Sequence, residues 1–236
     1  MQSKVESSTK KITKKIKETK KKINSIKFDA HHYRRAIHAF GASFLCYYIL
    51  PDDINWIKIL KILIPILIVV SLCILEYMRI KGTIEGNHFF GLRMYEKNRV
   101  GSYVFFGIGI LILLLFFPQQ IAVPCILCAS LADPLMGEIR YKHGERKVIL
   151  AGFIVCAFLF AVTWYNAQPL IIVIVTLVGA TGAVIGETRK FRWLDDDFMI
   201  QILPAILIAL IWIIAGQLGI NMPEPLLHAG EMGWLT

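Results

Sequence analysis

The sequence predicts an all-α polytopic membrane protein with about seven transmembrane helices. Of its 236 residues, 56% are hydrophobic, and the mean hydropathy is +0.59. The apolar residues are concentrated in long blocks, whereas the charged residues stand between those blocks. This arrangement is typical of helical membrane proteins and excludes an ordinary soluble domain.

Seven apolar blocks account for the predicted helices, and the first and fourth are short for a bilayer crossing of about 20 residues. In the fourth block, Asp133 is a preferred N-cap residue and Pro134 suits a first helical turn. We therefore expect this block to break at Asp133-Pro134 and a new helix to run to about Tyr141, with Gly144 ending it. Gly182 and Gly186 in the sixth block favour tight helix packing. The seven blocks are residues 36–50, 57–80, 100–117, 121–132, 148–165, 170–186 and 198–216.

The charges of the connecting segments predict the orientation. Residues 81–99, 140–147 and 188–197 carry Lys and Arg, whereas segments 51–56, 118–120, 166–169 and the C-terminal tail carry none. Because basic loops remain on the cytoplasmic side, the N-terminus is predicted to be cytoplasmic and the C-terminus extracytoplasmic. Residues 1–32 would form a cytoplasmic arm, 33–217 the transmembrane catalytic domain, and 218–236 a short tail.

The N-terminal arm carries the whole excess of positive charge. Residues 1–35 contain 12 Lys and Arg and three acidic residues, which gives +9, the net charge of the entire chain. The basic region is too long for a secretory signal peptide. Spaced isoleucines predict a basic amphipathic helix on an anionic membrane surface. The alternative is a disordered tail. No aromatic residue precedes Phe28, which argues against a nucleic-acid partner. The isoleucines are Ile12, Ile16, Ile23 and Ile26.

Ionisable residues gather at the predicted cytoplasmic ends of the blocks, whereas the outer ends carry only Asp52 and Asp53 and, just inside the second block, Lys58 and Lys61, which can snorkel outward. Because a carboxylate at membrane depth is costly, such residues usually serve function. The asymmetry therefore predicts a polar site at the cytoplasmic surface. The residues concerned are Arg34, Arg35, His38, Glu76, Arg79, Asp133, Glu138, Arg140, His143, Lys147, Glu187 and Asp195 to Asp197.

These residue types suit a nucleotide and a divalent cation. Mg²⁺ takes one or two carboxylates together with substrate phosphates. Asp133, Glu187 and the acidic triplet would provide the carboxylates. Of the triplet, Asp195 or Asp196 is expected to be functional and Asp197 to cap the last helix. All five cysteines lie in apolar blocks, so Cys125-x-x-Cys128 is interpreted as core packing rather than a metal site.

Four features together resemble the polyprenol kinase family, which includes dolichol kinases, phytol kinases and CTP-dependent diacylglycerol kinases and is related to phosphatidate cytidylyltransferases. The features are Arg34-Arg35-x-x-His38, Glu76-x-x-Arg79, Asp133-Pro134-x-x-Gly137 with Gly144 downstream, and the late acidic pair before the final block. The resemblance covers about residues 33–216 and implies a membrane enzyme that uses CTP and Mg²⁺ to phosphorylate a lipid alcohol. The sequence departs from the family pattern at Ala132, where Gly is frequent, and at Glu145-Arg146-Lys147, where the family has a Lys-Ser or Lys-Thr segment.

The leading hypothesis is therefore a CTP-dependent lipid-alcohol kinase with Mg²⁺ as cofactor. Asp133, Asp195 and Asp196 are the candidate metal ligands, and Glu138 or Glu187 would orient the alcohol. A cytidylyltransferase that makes a CDP-lipid is the first alternative, and pyrophosphate release would distinguish it. A transporter or scaffold is the second, although a transporter should carry polar groups near the midplane. The candidate nucleotide-binding residues are Arg34, Arg35, His38, Gly137, Arg140, His143 and Lys147.

Overall fold

A computed structural model describes residues 17–18, 35–84, 99–189 and 194–226, and these residues form helices and short connections without any strand. The first helix, α1, spans residues 35–49 and includes a 3-10 turn at Ala42–Leu45. The others are α2 (Asn55–Ile80), α3 (Ser102–Phe116), α4 (Gln119–His143), α5 (Glu145–Thr163), α6 (Pro169–Thr188) and α7 (Asp196–Gln217).

Five of these helices, α2 and α4 to α7, are long and apolar enough to cross a membrane. The helix α3 is apolar but has 15 residues, and α1 is divided by its 3-10 turn. A membrane protein is thus supported, whereas the expected count of seven spans rests on two short helices. The predicted orientation stays a prediction, and the N-terminal arm lies almost entirely outside the described residues.

The expected break at Asp133-Pro134 is wrong. Ala132 and Asp133 both have helical backbone angles, so Asp133 lies within α4 and is not its N-cap. Proline lacks an N–H and its ring crowds the carbonyl four residues earlier, here that of Ser130. A π-helical turn at Cys128–Ala132 widens the helix at this place and accommodates the proline. The fourth span is therefore one helix of 25 residues, long enough for a bilayer.

The end of α4 agrees with the prediction. Gly144 has a φ of +80°, a conformation that glycine adopts without the steric cost of a side chain. The helix stops at His143, and α5 begins at the next residue after the glycine. This tight connection sets α5 directly beside the last turns of α4, with Met136 buried against Gly152.

The hydrophobic core lies among α3 to α7 and is built from large apolar side chains, including Leu113, Ile126, Phe160 and Ile208. Cys125, Cys128 and Cys156 are fully buried in it, as expected for core packing. Because lipid tails are as apolar as these side chains, the core is stabilised by van der Waals packing between the helices rather than by removal from water. Many outward-facing side chains are also apolar, as a membrane surface requires, and α2 is buried least.

Glycines bring α6 and α7 unusually close together. A Cβ atom added at Gly182 would lie 3.1 Å from the Cα of Pro204, and one added at Gly186 would lie 2.5 Å from the carbonyl oxygen of Met199. Small residues permit such backbone approach, so the expected tight packing of this glycine pair is confirmed. The contact sets the end of α6 against the beginning of α7.

Candidate metal centre at one end of the helix bundle

Four carboxylates and one imidazole from four helices converge at one end of the bundle. The helix α1 contributes a histidine, α4 one aspartate, α6 a glutamate and α7 two aspartates. All but Asp196 are buried. The residues are His38, Asp133, Glu187, Asp196 and Asp197.

The first group of potential ligands, here called the His38 group, consists of His38, Asp133 and Asp197. The imidazole Nδ1 lies 3.2 Å from Asp133 Oδ2, and Nε2 lies 3.5 Å from Asp197 Oδ2. The carbonyl oxygen of Ala129 lies 3.2 Å from Nδ1, and the ring of Phe106 packs 4.6 Å from the imidazole ring. These contacts hold the histidine between α4 and α7.

The second group, here called the Glu187 group, consists of Glu187, Asp196 and Asp197. One ligand atom from each residue lies within 4.8 Å of those of the other two, and the same holds within the His38 group. Arg140 Nη1 donates a hydrogen bond of 3.0 Å to Glu187 Oε1. The other oxygen, Glu187 Oε2, is buried and has no hydrogen-bond partner among the described residues.

The beginning of α7 corrects one expectation about the acidic triplet. Asp195, not Asp197, is the N-cap residue of this helix, and Asp197 is fully buried in its first turn. Asp197 lies on the same helix face as the buried residues Gln201, Pro204 and Ile208, which follow at helical spacing. The Gln201 side chain donates from Nε2 to the carbonyl oxygens of Asp197 and Phe106. Asp197, the residue common to both groups, is therefore the one that was expected only to cap the last helix.

The electrostatics of the cluster favour a bound cation. Two carboxylates separated by 4.8 Å repel by about 3.5 kcal/mol at an effective dielectric constant of 20 when both are charged. Burial adds a desolvation cost, which a neighbouring positive charge or a bound proton offsets. Arg140 contributes a positive charge at Glu187. Carboxylate oxygens are also the ligands that Mg²⁺ prefers. The donor set and the unpartnered Glu187 Oε2 thus fit Mg²⁺.

Other predicted site residues lie apart from the two groups. Glu138 forms ion pairs with Arg35 and with Lys142, the latter at 2.7 Å, so its carboxylate is bound to basic side chains. His143 and Lys147 are exposed at the junction of α4 and α5. Arg34 lies outside the described residues, and Asp195 precedes α7 as its cap.

Gly137 lies one turn beyond Asp133, on the same face of α4. An added Cβ atom there would meet no atom of the described residues within 4 Å. Among these residues the space beside Gly137 is therefore open, as the expectation of close ligand approach requires.

The Glu76–Arg79 pair is a separate buried cluster. Arg79 donates two hydrogen bonds of 2.7 Å to Glu76, which also accepts from Tyr103 and from the backbone N–H of Gly101. Arg79 further donates to the carbonyl oxygen of Arg99. These contacts join the end of α2 to the beginning of α3 and give the pair a structural role.

Sequence reasoning missed the importance of Asp197 and assigned His38 to phosphate binding. A signal for Asp197 was available: Gln201, four residues later, is a second polar residue on one face of an apolar helix. The contact of His38 with two carboxylates carried no such signal, because it depends on how α1 packs against α4 and α7.

Comparison with protein-family models, with curated proteins and with solved structures finds no match to this chain.

Proposed function

We propose that this protein is a membrane-embedded kinase that transfers the γ-phosphoryl group of CTP to the hydroxyl group of a lipid alcohol. The observation that carries the proposal is the convergence of Asp133, Glu187, Asp196 and Asp197 at one end of an apolar helix bundle. Buried carboxylates at membrane depth usually serve function, and clustered ones suit a divalent cation. The choice of CTP as donor follows from the family resemblance.

The Glu187 group supplies the all-oxygen ligands for Mg²⁺. The chemistry that Mg²⁺ would supply there is neutralisation of charge on the nucleotide phosphates. Phosphoryl transfer depends mainly on positioning and on electrostatic stabilisation, which fixed side chains provide without moving. Glu187 and Asp197 are fixed in this way, because each is buried in a helix end that close packing holds.

Arg140 is suited to bind phosphate oxygens. Its Nη1 is engaged by Glu187, whereas its Nε is buried without a hydrogen-bond partner among the described residues. A guanidinium group presents several donors in a planar fork that matches phosphate geometry. With its side chain 32% exposed, Arg140 reaches from the buried carboxylates toward the open end of the bundle.

A lipid chain would meet an apolar surface on the outside of the bundle. Leu131 and Leu135 are exposed on α4, on the side of the helix opposite the buried Asp133. Among the described residues, the space at Gly137 is open and would leave room for the hydroxyl end of the molecule or for the phosphates. Glu138, which the sequence suggested for orienting the alcohol, is engaged by Arg35 and Lys142 and is left out of this role.

A non-enzymatic transporter is less well supported. A transporter carries polar groups near the middle of the membrane. Three of the four clustered carboxylates instead lie at helix ends, with Glu187 near the end of α6 and Asp196 and Asp197 at the beginning of α7, whereas Asp133 lies inside α4.

The proposal is tested with the purified full-length chain in lipid nanodiscs, Mg²⁺, and CTP labelled in either the α- or the γ-phosphate. Prenols and diacylglycerol serve as acceptors. The γ-label is expected in the lipid with the wild-type protein and with Asp53→Asn, an exposed residue far from the site, but not with Asp133→Asn. Transfer of the α-label with release of pyrophosphate would establish a cytidylyltransferase instead. If neither label reaches any lipid and Asp133→Asn binds CTP as tightly as the wild type, the kinase proposal is overturned.

A further inference from the structure

We infer that the His38 group is a cation site of its own chemistry, in which His38 Nε2 and Asp197 are direct metal ligands and Asp133 orients the imidazole by accepting from its other ring nitrogen. Such a mixed nitrogen–oxygen site prefers a first-row transition ion to Mg²⁺. The inference rests on the proposed function, because both place a cation among these carboxylates. It does not depend on whether the enzyme transfers a phosphoryl or a cytidylyl group. In this inference His38 binds a metal ion instead of nucleotide phosphates, the role that the sequence analysis predicted for it.

The tautomer of the histidine follows from its neighbours. Nδ1 lies 3.2 Å from each of two acceptors, the carbonyl oxygen of Ala129 and Asp133 Oδ2. We therefore assign the hydrogen to Nδ1, which leaves the lone pair of neutral imidazole on Nε2, on the side of Asp197. Histidines that bind metals usually donate their other ring N–H to a carbonyl or carboxylate, which fixes the ring in this manner.

The separation of Nε2 from Asp197 is that of two ligands on one ion. The two atoms are 3.5 Å apart, longer than a normal hydrogen bond. Metal–nitrogen and metal–oxygen bonds of about 2.1 Å place neighbouring ligands about 3.0 Å apart in octahedral and about 3.4 Å apart in tetrahedral geometry. The distance observed is close to the upper of these values.

A second observation points to a ligand at this cluster. Glu187 is 3% exposed, and its Oε2 atom is buried without a hydrogen-bond partner among the described residues. A carboxylate oxygen of Glu187 lies within 4.8 Å of one of Asp197, the residue that belongs to both groups. A buried, unpartnered carboxylate oxygen is costly, and a cation at the cluster offsets that cost.

The nitrogen ligand decides the class of cation. Magnesium and calcium favour sites made of oxygen atoms, whereas imidazole favours zinc, iron, nickel and copper and is also accepted by manganese. The Glu187 group has only oxygen ligands, and the His38 group has one nitrogen. The two groups therefore differ in the ion they select, although they share Asp197.

The test uses the purified full-length protein loaded with Mn²⁺ and pulsed electron paramagnetic resonance, which detects nitrogen nuclei bound to the ion. The wild type is expected to show nitrogen modulation, His38→Gln to lose it, and His143→Gln, an exposed histidine on α4, to keep it. Protein labelled with [¹⁵N]histidine is expected to change the ¹⁴N pattern to that of ¹⁵N, and this measurement remains valid if His38→Gln fails to fold. Competition should show Mn²⁺ bound at least about tenfold more tightly than Mg²⁺ by the wild type, with the preference reduced in His38→Gln.

Absence of Mn²⁺ binding, bound Mn²⁺ without nitrogen modulation, or modulation that persists in His38→Gln would each overturn the inference. These outcomes are independent of phosphate transfer, because no nucleotide or lipid is present. A protein with the nitrogen signature but without kinase activity would refute the proposed function alone. A kinase without the signature would refute the His38 site alone.

Discussion

The close contact of α6 with α7 predicts that Gly186→Ala disturbs both the fold and the candidate metal centre. The added Cβ would lie 2.5 Å from the carbonyl oxygen of Met199, whereas ordinary contacts begin at 3.4 Å. The two helices must therefore separate locally by about 0.9 Å, the difference between these values. The atoms that the Cβ would meet belong to the backbone of Met199 and Ile200, so no side chain can rotate to relieve the contact.

The magnitude follows from two opposing terms. Overpacking of this kind typically costs about 1–3 kcal/mol, and the higher helix propensity of alanine returns about 1 kcal/mol. A net loss of up to about 2 kcal/mol in the free energy of unfolding is expected. Because Glu187 is the next residue, its carboxylate moves relative to Asp197 by more than the roughly 0.2 Å that a metal site tolerates. A decrease in Mn²⁺ affinity of about tenfold or more is therefore expected.

The matched control is Gly216→Ala. This glycine lies in α7, and an added Cβ there meets no atom of the described residues within 4 Å, so the substitution should be neutral or slightly stabilising. Unfolding is followed by titration with sodium dodecyl sulfate in mixed micelles, and Mn²⁺ affinity by the resonance signal of the free ion. The reasoning is refuted if the two variants agree in stability within about 0.5 kcal/mol and bind Mn²⁺ equally.

Two further substitutions test the buried charges. Asp197→Asn removes the ligand common to both groups and should weaken Mn²⁺ binding by at least about 100-fold. The control Asp53→Asn, at an exposed residue, should leave the Mn²⁺ titration unchanged. Equal Mn²⁺ affinities of Asp197→Asn and the wild type would contradict a shared ligand. Glu76→Gln leaves the buried Arg79 without its negatively charged partner and should lower the free energy of unfolding by about 3–5 kcal/mol. Lys142→Gln, which breaks an exposed i,i+4 pair, should lower it by no more than about 0.5 kcal/mol, and similar losses in both variants would argue against a structural role for the buried pair.

The helical class could be predicted from the sequence because it depends on local properties. Long apolar blocks require a helix in which backbone polar groups pair within the segment, and this requirement holds whatever the neighbours are. The end of α4 was predictable for the same reason, since Gly144 stops a helix through its own conformation. The expected break at Asp133-Pro134 failed because a π-turn, a small adjustment of hydrogen bonding, let the helix continue through the proline.

The grouping of acidic residues at one end of the bundle was likewise present in the sequence, since helix ends joined by short loops lie near one another. Asp133, Glu187 and Asp196 were named from this pattern, and the structure brings them into one cluster. Their catalytic roles remain predictions. Asp197 was assigned only a capping role because the choice among three consecutive aspartates depends on how α7 is rotated about its axis.

The sequence by itself thus determined that the chain forms apolar helices with most of its carboxylates at or near their ends, because hydropathy and helix signals act within a segment. Only the tertiary structure decided which carboxylates meet. The rotation and close approach of α6 and α7 bury Asp197 beside Glu187, and the packing of α1 places His38 between Asp133 and Asp197. Such contacts depend on the shapes of side chains far apart in the sequence, which no local pattern records.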